Sequence, residues 1–323
     1  MSKKAIIIGV VGQDGSFLAE LLHKKNYEVY GVVKVDVDEK RIDWIKKLVP
    51  EIIIYKENVL DKKALEMLIR NINPDEIYNF ASYSNVFKPW EDLDGILNLN
   101  AKLPQNILEL ILLINKKIKY FQASSCLVFG KDKSGFQDEK TPKNPIHPYG
   151  VTKLYADNIL REFRDEFGLY CCSGIFFNHE SERRPYGFFS RKITSSVAKI
   201  KLKQLDKIKV GNLNSLRDFG YSPDFMEAVY KMMQNEIPTD YCVGTGKLIS
   251  MENFIEKCFN YVGLDYKQYI DIDEDIYRKN DTETMKANIK KINKDLNWHP
   301  ETSIDEMIKK MIDNDIEIFK TTK

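Results

Sequence analysis

The sequence predicts an α/β protein: a doubly wound parallel sheet with a smaller, mostly helical domain attached. Three observations carry this. Apolar runs of strand length alternate with helical patterns through the first half of the chain. The first of these runs ends in a glycine-spaced turn that opens a helix. After Asn178 the alternation breaks and helical periodicity takes over.

The elements follow in order. Strands are expected at Ala5–Val10, Glu28–Val33, Glu51–Tyr55, Glu76–Phe80 and Ile118–Ala123, as buried apolar runs. Helical patterns lie between them at Phe17–Lys25, Glu39–Leu48, Lys62–Asn71 and Leu97–Asn115. A helix at Tyr149–Glu166 and a strand at Tyr170–Phe177 continue the rhythm, with right-handed crossovers. Beyond Asn178 we expect a loop at Arg183–Gly187, a helix at Lys192–Leu202 and a short strand at Ile208–Val210. A helix at Pro223–Gln234 and a strand at Asp240–Gly244 return to the sheet. The end reads as helices Met251–Val262, Met285–Leu296 and Ser303–Ile318, the last opened by a Ser303/Glu306 capping box. No repeat, low-complexity tract or long linker separates the parts, so the second domain is interleaved with the first.

Composition excludes several classes. The 323 residues are 43% hydrophobic and 11% aromatic, as in a folded protein. A net charge of +1 gives no bulk field for nucleic acid or an anionic membrane. The longest mostly apolar stretch, Ile107 to Ile114, falls short of the roughly 20 residues that span a bilayer. The five cysteines, Cys126, Cys171, Cys172, Cys242 and Cys258, are odd in number and lack zinc-type spacing, so no metal site is expected. The chain runs directly into a strand at Ala5, and a reduced, cytoplasmic protein is expected.

Gly9-x-x-Gly12-x-x-Gly15 lies at the first strand-to-helix turn. Such glycines allow a tight turn and a close approach of backbone to pyrophosphate at a helix N-terminus. Directly after the first strand of a β-α alternation, they mark a Rossmann-type dinucleotide site. Asp36, close to the end of the second strand, favours NAD over NADP because a carboxylate repels a 2′-phosphate; its bland reading is a cap for the helix beginning near Val37. The expected cofactor set is Gly9, Gly12, Gln13, Asp14, Gly15, Asp36, Asn58, Val59, Ala81, Tyr149 and Lys153. Residues 1–177 with 218–248 form the expected dinucleotide-binding domain, and 178–217 with 249–323 the substrate domain.

Tyr149-x-x-x-Lys153 places a phenol and an ammonium on one face of a helix. A nearby cation lowers a phenol's pKa, which suits it to proton exchange with a hydroxyl. Ser125, at the end of the fifth strand, is placed to bind the same hydroxyl. With a nicotinamide these make an alcohol-to-ketone site.

The chain resembles the extended short-chain dehydrogenases/reductases, and within them the GDP-mannose 4,6-dehydratase family. The matching segments are Gly9–Ser16, Pro74–Asn79, Gln122–Ser124, Phe177–Ser181, Ser190–Thr194, Gly211–Leu213, Arg217-Asp218 and Leu296–Pro300. The resemblance implies that Tyr149 takes the proton of the sugar 4-hydroxyl, Lys153 holds the nicotinamide ribose, and Ser125 binds the 4-hydroxyl. It implies that Asn178 and Lys192 hold the GDP portion, that Arg217 pairs with the pyrophosphate, and that Arg278 and Asp281 add phosphate and ribose contacts. Arg183-Arg184 matches a loop that crosses between subunits, which implies a homodimer or homotetramer.

Three departures stand out. The family's Ser-Thr-Ser-Glu reads Ser124-Ser125-Cys126-Leu127 here, and leucine neither accepts nor donates a proton. Lys34-Val35 replaces a double arginine, and Pro185–Phe189 replaces the family's loop. The expected reaction is therefore oxidation at C4 of a GDP-linked manno-configured sugar, GDP-mannose or a GDP-manno-heptose, without loss of water, for capsule or O-antigen synthesis. The alternatives are the 4,6-dehydratase itself with Glu180 supplying the missing carboxylate, a 4-ketosugar reductase or epimerase, and a non-catalytic dinucleotide sensor.

Overall fold

Strand and helix alternate through the first half of the chain. The computed structural model, which describes residues 2–83, 90–132, 134–273 and 284–321, begins with β1 (Lys4–Ile8), α1 (Gln13–Lys24), β2 (Glu28–Val33), α2 (Glu39–Leu48), β3 (Ile53–Lys56) and α3 (Lys62–Ile72). It continues with β4 (Glu76–Asn79), α4 (Leu93–Leu97), α5 (Leu103–Ile114), β5 (Lys119–Ser125), α6 (Pro148–Phe167) and β6 (Cys171–Phe176). The second half adds β7 (Asn178–Glu180), α7 (Phe189–Lys201), β8 (Ile208–Val210), β9 (Leu216–Arg217), β10 (Phe219–Tyr221), α8 (Ser222–Gln234) and β11 (Tyr241–Val243). It ends with β12 (Ile249–Ser250), α9 (Met251–Tyr261), β13 (Ile270–Ile272), β14 (Thr284–Met285), α10 (Lys290–Leu296) and α11 (Ile304–Thr321).

Seven parallel strands form the main sheet in the order β11-β6-β5-β4-β1-β2-β3. The order reverses at β1, which pairs with both β2 and β4. Ligands of such sheets bind beyond the carboxyl ends of the strands at this reversal. One face of the sheet is sealed by apolar residues of α1, α2 and α8, the other by α3, α5 and α6. A third core, built from α7, α9 and α11, forms the second unit. Among the described residues no helix is long and apolar enough to cross a membrane.

The differences from the sequence prediction have local causes. α1 starts at Gln13 instead of Phe17, directly after the glycine turn, with Gly12 as its N-cap. The single helix expected at Leu97–Asn115 is interrupted by a π-helical turn, Asn98–Lys102. The helix expected from Met285 begins only at Lys290, because Thr284–Met285 pairs with β9 and Asp218 accepts the Ala287 N–H at 3.1 Å. Ile292 and Trp298 pack into the first sheet core, and the Trp298 indole donates to the Asp224 carbonyl at 3.0 Å. The Ser303/Glu306 capping box is present, with reciprocal bonds of 2.9 and 3.2 Å.

Candidate active site

β1 delivers the chain into Gly9, whose φ of +86° suits glycine. A Cβ there would lie 3.0 Å from the Ala81 nitrogen at the end of β4, so the two strand ends are in close contact. A Cβ on Gly15 would lie 2.5 Å from the Gly9 carbonyl, so α1 packs directly on the turn. No side chain caps the first turn of α1, whose free N–H groups suit an anion. The turn thus fits a dinucleotide pyrophosphate.

Gln13 and Asp14 turn their side chains inward. The Gln13 amide donates to the His179 carbonyl at 3.1 Å and accepts from Ser181 at 2.8 Å. Asp14 faces His179 Nε2 at 2.9 Å and accepts from Ser222 at 2.8 Å. The His179 ring stacks on Phe225 with centroids 4.8 Å apart. Burial works against the charge on Asp14, but His179, Gln13 and Arg184 outweigh it and hold the carboxyl far below the usual range. Burial likewise opposes charge on His179, and Asp14 reverses this and raises it. These two residues clamp the glycine turn to β7, which leaves their backbone N–H groups for a cofactor.

The other cofactor candidates are scattered around the same edge. Asp36 is exposed and pairs with Lys34 at 3.3 Å, while Asp38, not Asp36, caps α2. The Arg41 guanidinium reaches the Val11 carbonyl at 2.8 Å. Asn58 accepts the Leu60 N–H at 3.2 Å and shapes the turn into α3; Val59 packs on the second core. The Ala81 N–H donates to Asn79 at 3.1 Å.

The candidate reaction centre lies where β5 meets α6. His147 caps α6, accepting the Gly150 N–H at 3.3 Å. A Cβ on Gly150 would lie 2.6 Å from the Leu127 carbonyl, so the turn after β5 sits directly against the helix. This contact sets the start of α6, which carries Tyr149, beside the turn that follows Ser125. Burial raises the phenol's pKa, and Ser82, Arg184 and Ser125 draw it back. Lys153 is buried, donates to the Ala123 carbonyl at 2.8 Å and lies 5.6 Å from the Tyr149 ring centre. Burial lowers its pKa to about 8 against the pull of Asp157 and Asp14. Ser125 Oγ accepts the Leu127 N–H at 3.3 Å, which leaves its own proton to give.

The turn after Ser125 is apolar. The Cys126 thiol is pushed up to about 12 by burial. Leu127 is half-buried against a cluster that includes Val128, Phe129, Phe177 and Met285. Two buried carboxylates, Glu180 on β7 and Asp218 after β9, are both committed. Glu180 pairs with Arg184 at 3.3 Å and accepts from Ser190. Asp218 accepts from Thr245 and Gly246 N–H groups, each at 2.8 Å.

Of the expected substrate-binding residues, Asn178 opens β7 beside β10. Lys192, on α7, donates to the Lys209 carbonyl at 2.7 Å. Arg217, buried on β9, is close enough to act on the Cys126 thiol and donates to the Leu216 carbonyl at 2.8 Å. Arg278 and Asp281 lie outside the described residues. Arg183 stacks on Phe17 at 3.7 Å and pairs with Glu20 at 2.5 Å of its own chain. Ser82, Asn100 and His179 were not singled out by the sequence reading; the one signal for Ser82 was its place beside Ala81. Among the described residues no group of three or more His, Cys, Asp or Glu side chains could hold a metal ion.

The chain is similar to known proteins over nearly its whole length. A family model described as GDP-mannose 4,6 dehydratase covers residues 6–311. The GDP-mannose 4,6 dehydratase of Cricetulus griseus is 34% identical, with 99% of this chain and 93% of that protein aligned. Among solved structures, a UDP-glucose 4-epimerase from Thermotoga maritima superposes with a TM-score of 0.86 at 19% identity, covering 99% of this chain and all of that one. A dTDP-glucose 4,6-dehydratase from Bacillus anthracis, solved with NAD, gives 0.84 at 18% identity, with 97% and 96% covered.

Proposed function

Because the chain belongs to the GDP-mannose 4,6-dehydratase family, we propose that it is a GDP-sugar enzyme that oxidises C4 of a manno-configured sugar with NAD and releases the 4-keto product with its C6 oxygen in place. The observation that carries this reading is Leu127. The position where the family's glutamate would act holds an apolar side chain packed on an apolar cluster, and the buried carboxylates Glu180 and Asp218 are bound to protein groups.

The residues divide the work. Tyr149 accepts the proton of the C4 hydroxyl. Ser125, which already accepts the Leu127 N–H, donates its own proton to the same sugar oxygen and orients it. The Lys153 ammonium, beside the Tyr149 ring, favours the phenolate. Arg217, Asn178 and Lys192 hold the nucleotide diphosphate, where a guanidinium matches phosphate geometry. When bound, NAD supplies the acceptor for the C4 hydride. The protein's own part in the oxidation is to take the hydroxyl proton onto Tyr149. GDP-mannose and GDP-manno-heptose are the proposed substrates, and a cytoplasmic homodimer or homotetramer the proposed working form.

Mass spectrometry of the products formed from NAD and either GDP-sugar tests this reading. Loss of two hydrogens is expected. Loss of water would overturn it in favour of the dehydratase.

A further inference from the structure

Tyr149, Lys153 and Asp157 follow one another at helical spacing along α6, so the three share one face of the helix. That face lies on the carboxyl half of β5. Lys153 donates to the Ala123 carbonyl at 2.8 Å. One residue further on, the Ser124 hydroxyl donates to Asp157 Oδ2 at 3.0 Å. The Ser173 hydroxyl, from the first half of β6, donates to Asp157 Oδ1 at 2.7 Å. The Lys143 ammonium, from the segment that leads into α6, donates to Asp157 Oδ2 at 2.9 Å. Asp157 is 3% exposed, and Ser124 and Ser173 are buried with it. A buried carboxylate is tolerated when it is paired and hydrogen-bonded, and both oxygens here are.

Three of the four elements joined at this carboxylate hold the reacting groups. β5 carries Ser125 directly after Ser124, facing the other way. α6 carries Tyr149 and Lys153, and the Lys143 segment delivers its first turn, which His147 caps. Hydrogen bonds to a charged acceptor are roughly twice as strong as neutral ones, and they are directional where apolar packing is not. We propose that Asp157 is a positioning residue: it draws Ser124 and Lys143 to one point, and so sets the spacing between Ser125 and the Tyr149–Lys153 pair. This rests on the reading of those three as the reacting groups. The Ser124 arm of the clamp runs to the carboxyl end of β5, where ligands of such sheets bind. The Ser173 arm ends in the first half of β6, away from that end. The two arms therefore separate positioning from plain stability.

The test compares the two arms in the NAD-saturated protein. A reporter that needs no sugar is the Leu127 N–H, which donates to Ser125 Oγ at 3.3 Å. In protein labelled at leucine with an NMR-active nitrogen isotope, its signal is the one lost in Leu127→Met. Asp157→Asn is expected to move this signal, since one carboxamide oxygen cannot serve both serines and the ammonium. It should also lower kcat for GDP-sugar oxidation by about 10- to 100-fold with KM unchanged. Ser124→Ala should repeat both effects, and Ser124→Thr, which keeps the hydroxyl, should restore the parent. Ser173→Ala should lower the melting temperature as Ser124→Ala does, yet leave signal and kcat near those of the parent. If Asp157→Asn does not fold, the comparison of Ser124→Ala with Ser124→Thr and Ser173→Ala decides. An unmoved Leu127 signal in a folded variant lacking the clamp overturns the proposal, as does a moved signal with parental kcat, or an equal effect from Ser173→Ala. If the parent oxidises no GDP-sugar, the signal decides by itself: a shift in Asp157→Asn and none in Ser173→Ala keeps the role of Asp157 and counts against the substrate assignment alone.

Discussion

Leu127→Glu tests the chemistry at its narrowest point. Leu127 is half-buried on the apolar cluster behind the β5 turn. Full burial of a leucine is worth about 1.5–3 kcal/mol, so losing this partial burial costs about 1 kcal/mol, which a folded domain tolerates. The same apolar wall disfavours the charged form of the new carboxyl and raises its pKa, as suits a general acid. A positioned acid–base group contributes about 10²–10⁴ in rate, or about 3–5 kcal/mol of barrier. If the 4-keto sugar is formed as proposed, that gain is enough to draw it from release to elimination. The products of the variant should shift from loss of two hydrogens to loss of water, and in heavy water deuterium should appear at C5. A variant that still oxidises C4 but neither loses water nor exchanges C5 would refute the reasoning and place the missing function outside residue 127.

Three further outcomes are expected. Gly150→Ala puts a methyl 2.6 Å from the Leu127 carbonyl and 2.8 Å from Pro145 Cβ; forced apart from Ser125 by up to about 1 Å, Tyr149 should lose about 100-fold in kcat, while NAD affinity by calorimetry stays near that of the parent. Asp14→Asn should cost about 2–3 kcal/mol in thermal melts by breaking a buried ion pair. Asp14, lowered in the fold, contributes stability above its unfolded pKa of about 3.9 and loses it as pH falls further; His179, raised in the fold, contributes below about 6.5 and loses it as pH rises through its folded value. The gap between parent and variant should therefore be widest between about pH 4 and 6.5, and a pH-independent gap would refute the pairing. Asp36→Ala leaves Lys34 and Arg41 at the edge of the glycine turn and should move the NAD-to-NADP preference by about tenfold toward NADP; an unchanged ratio of kcat/KM would make Asp36 only the partner of Lys34.

The sequence showed what is local. Glu28–Val33 and Glu39–Leu48 were readable to the residue because an apolar strand and a capped amphipathic helix each carry their own periodicity. Tyr149 and Lys153 were readable because four residues on a helix fix their relation. What escaped is tertiary. The inward turn of Gln13 and Asp14 depends on His179, Ser181 and Ser222, distant in sequence. Ser82 is held by Asn100, which a π-helical turn distant in sequence supplies. Met285 reads as helix until β9 and Asp218 claim the neighbouring backbone.

The late arrival of Trp298 in the first sheet core bears on how the chain is made. A chain leaving the ribosome presents β1, β2 and β3 first, and β4, β5 and β6 then extend the sheet strand by strand from the β1 edge. The face carrying Tyr78, Phe121 and Phe176 is covered only when α8, Ile292 and Trp298 have followed. At typical synthesis rates the interval from β6 to Trp298 lasts on the order of ten seconds. Until α8 has emerged the nascent protein displays an aromatic sheet face, and a chain cut short of α8 lacks the side chains that cover it.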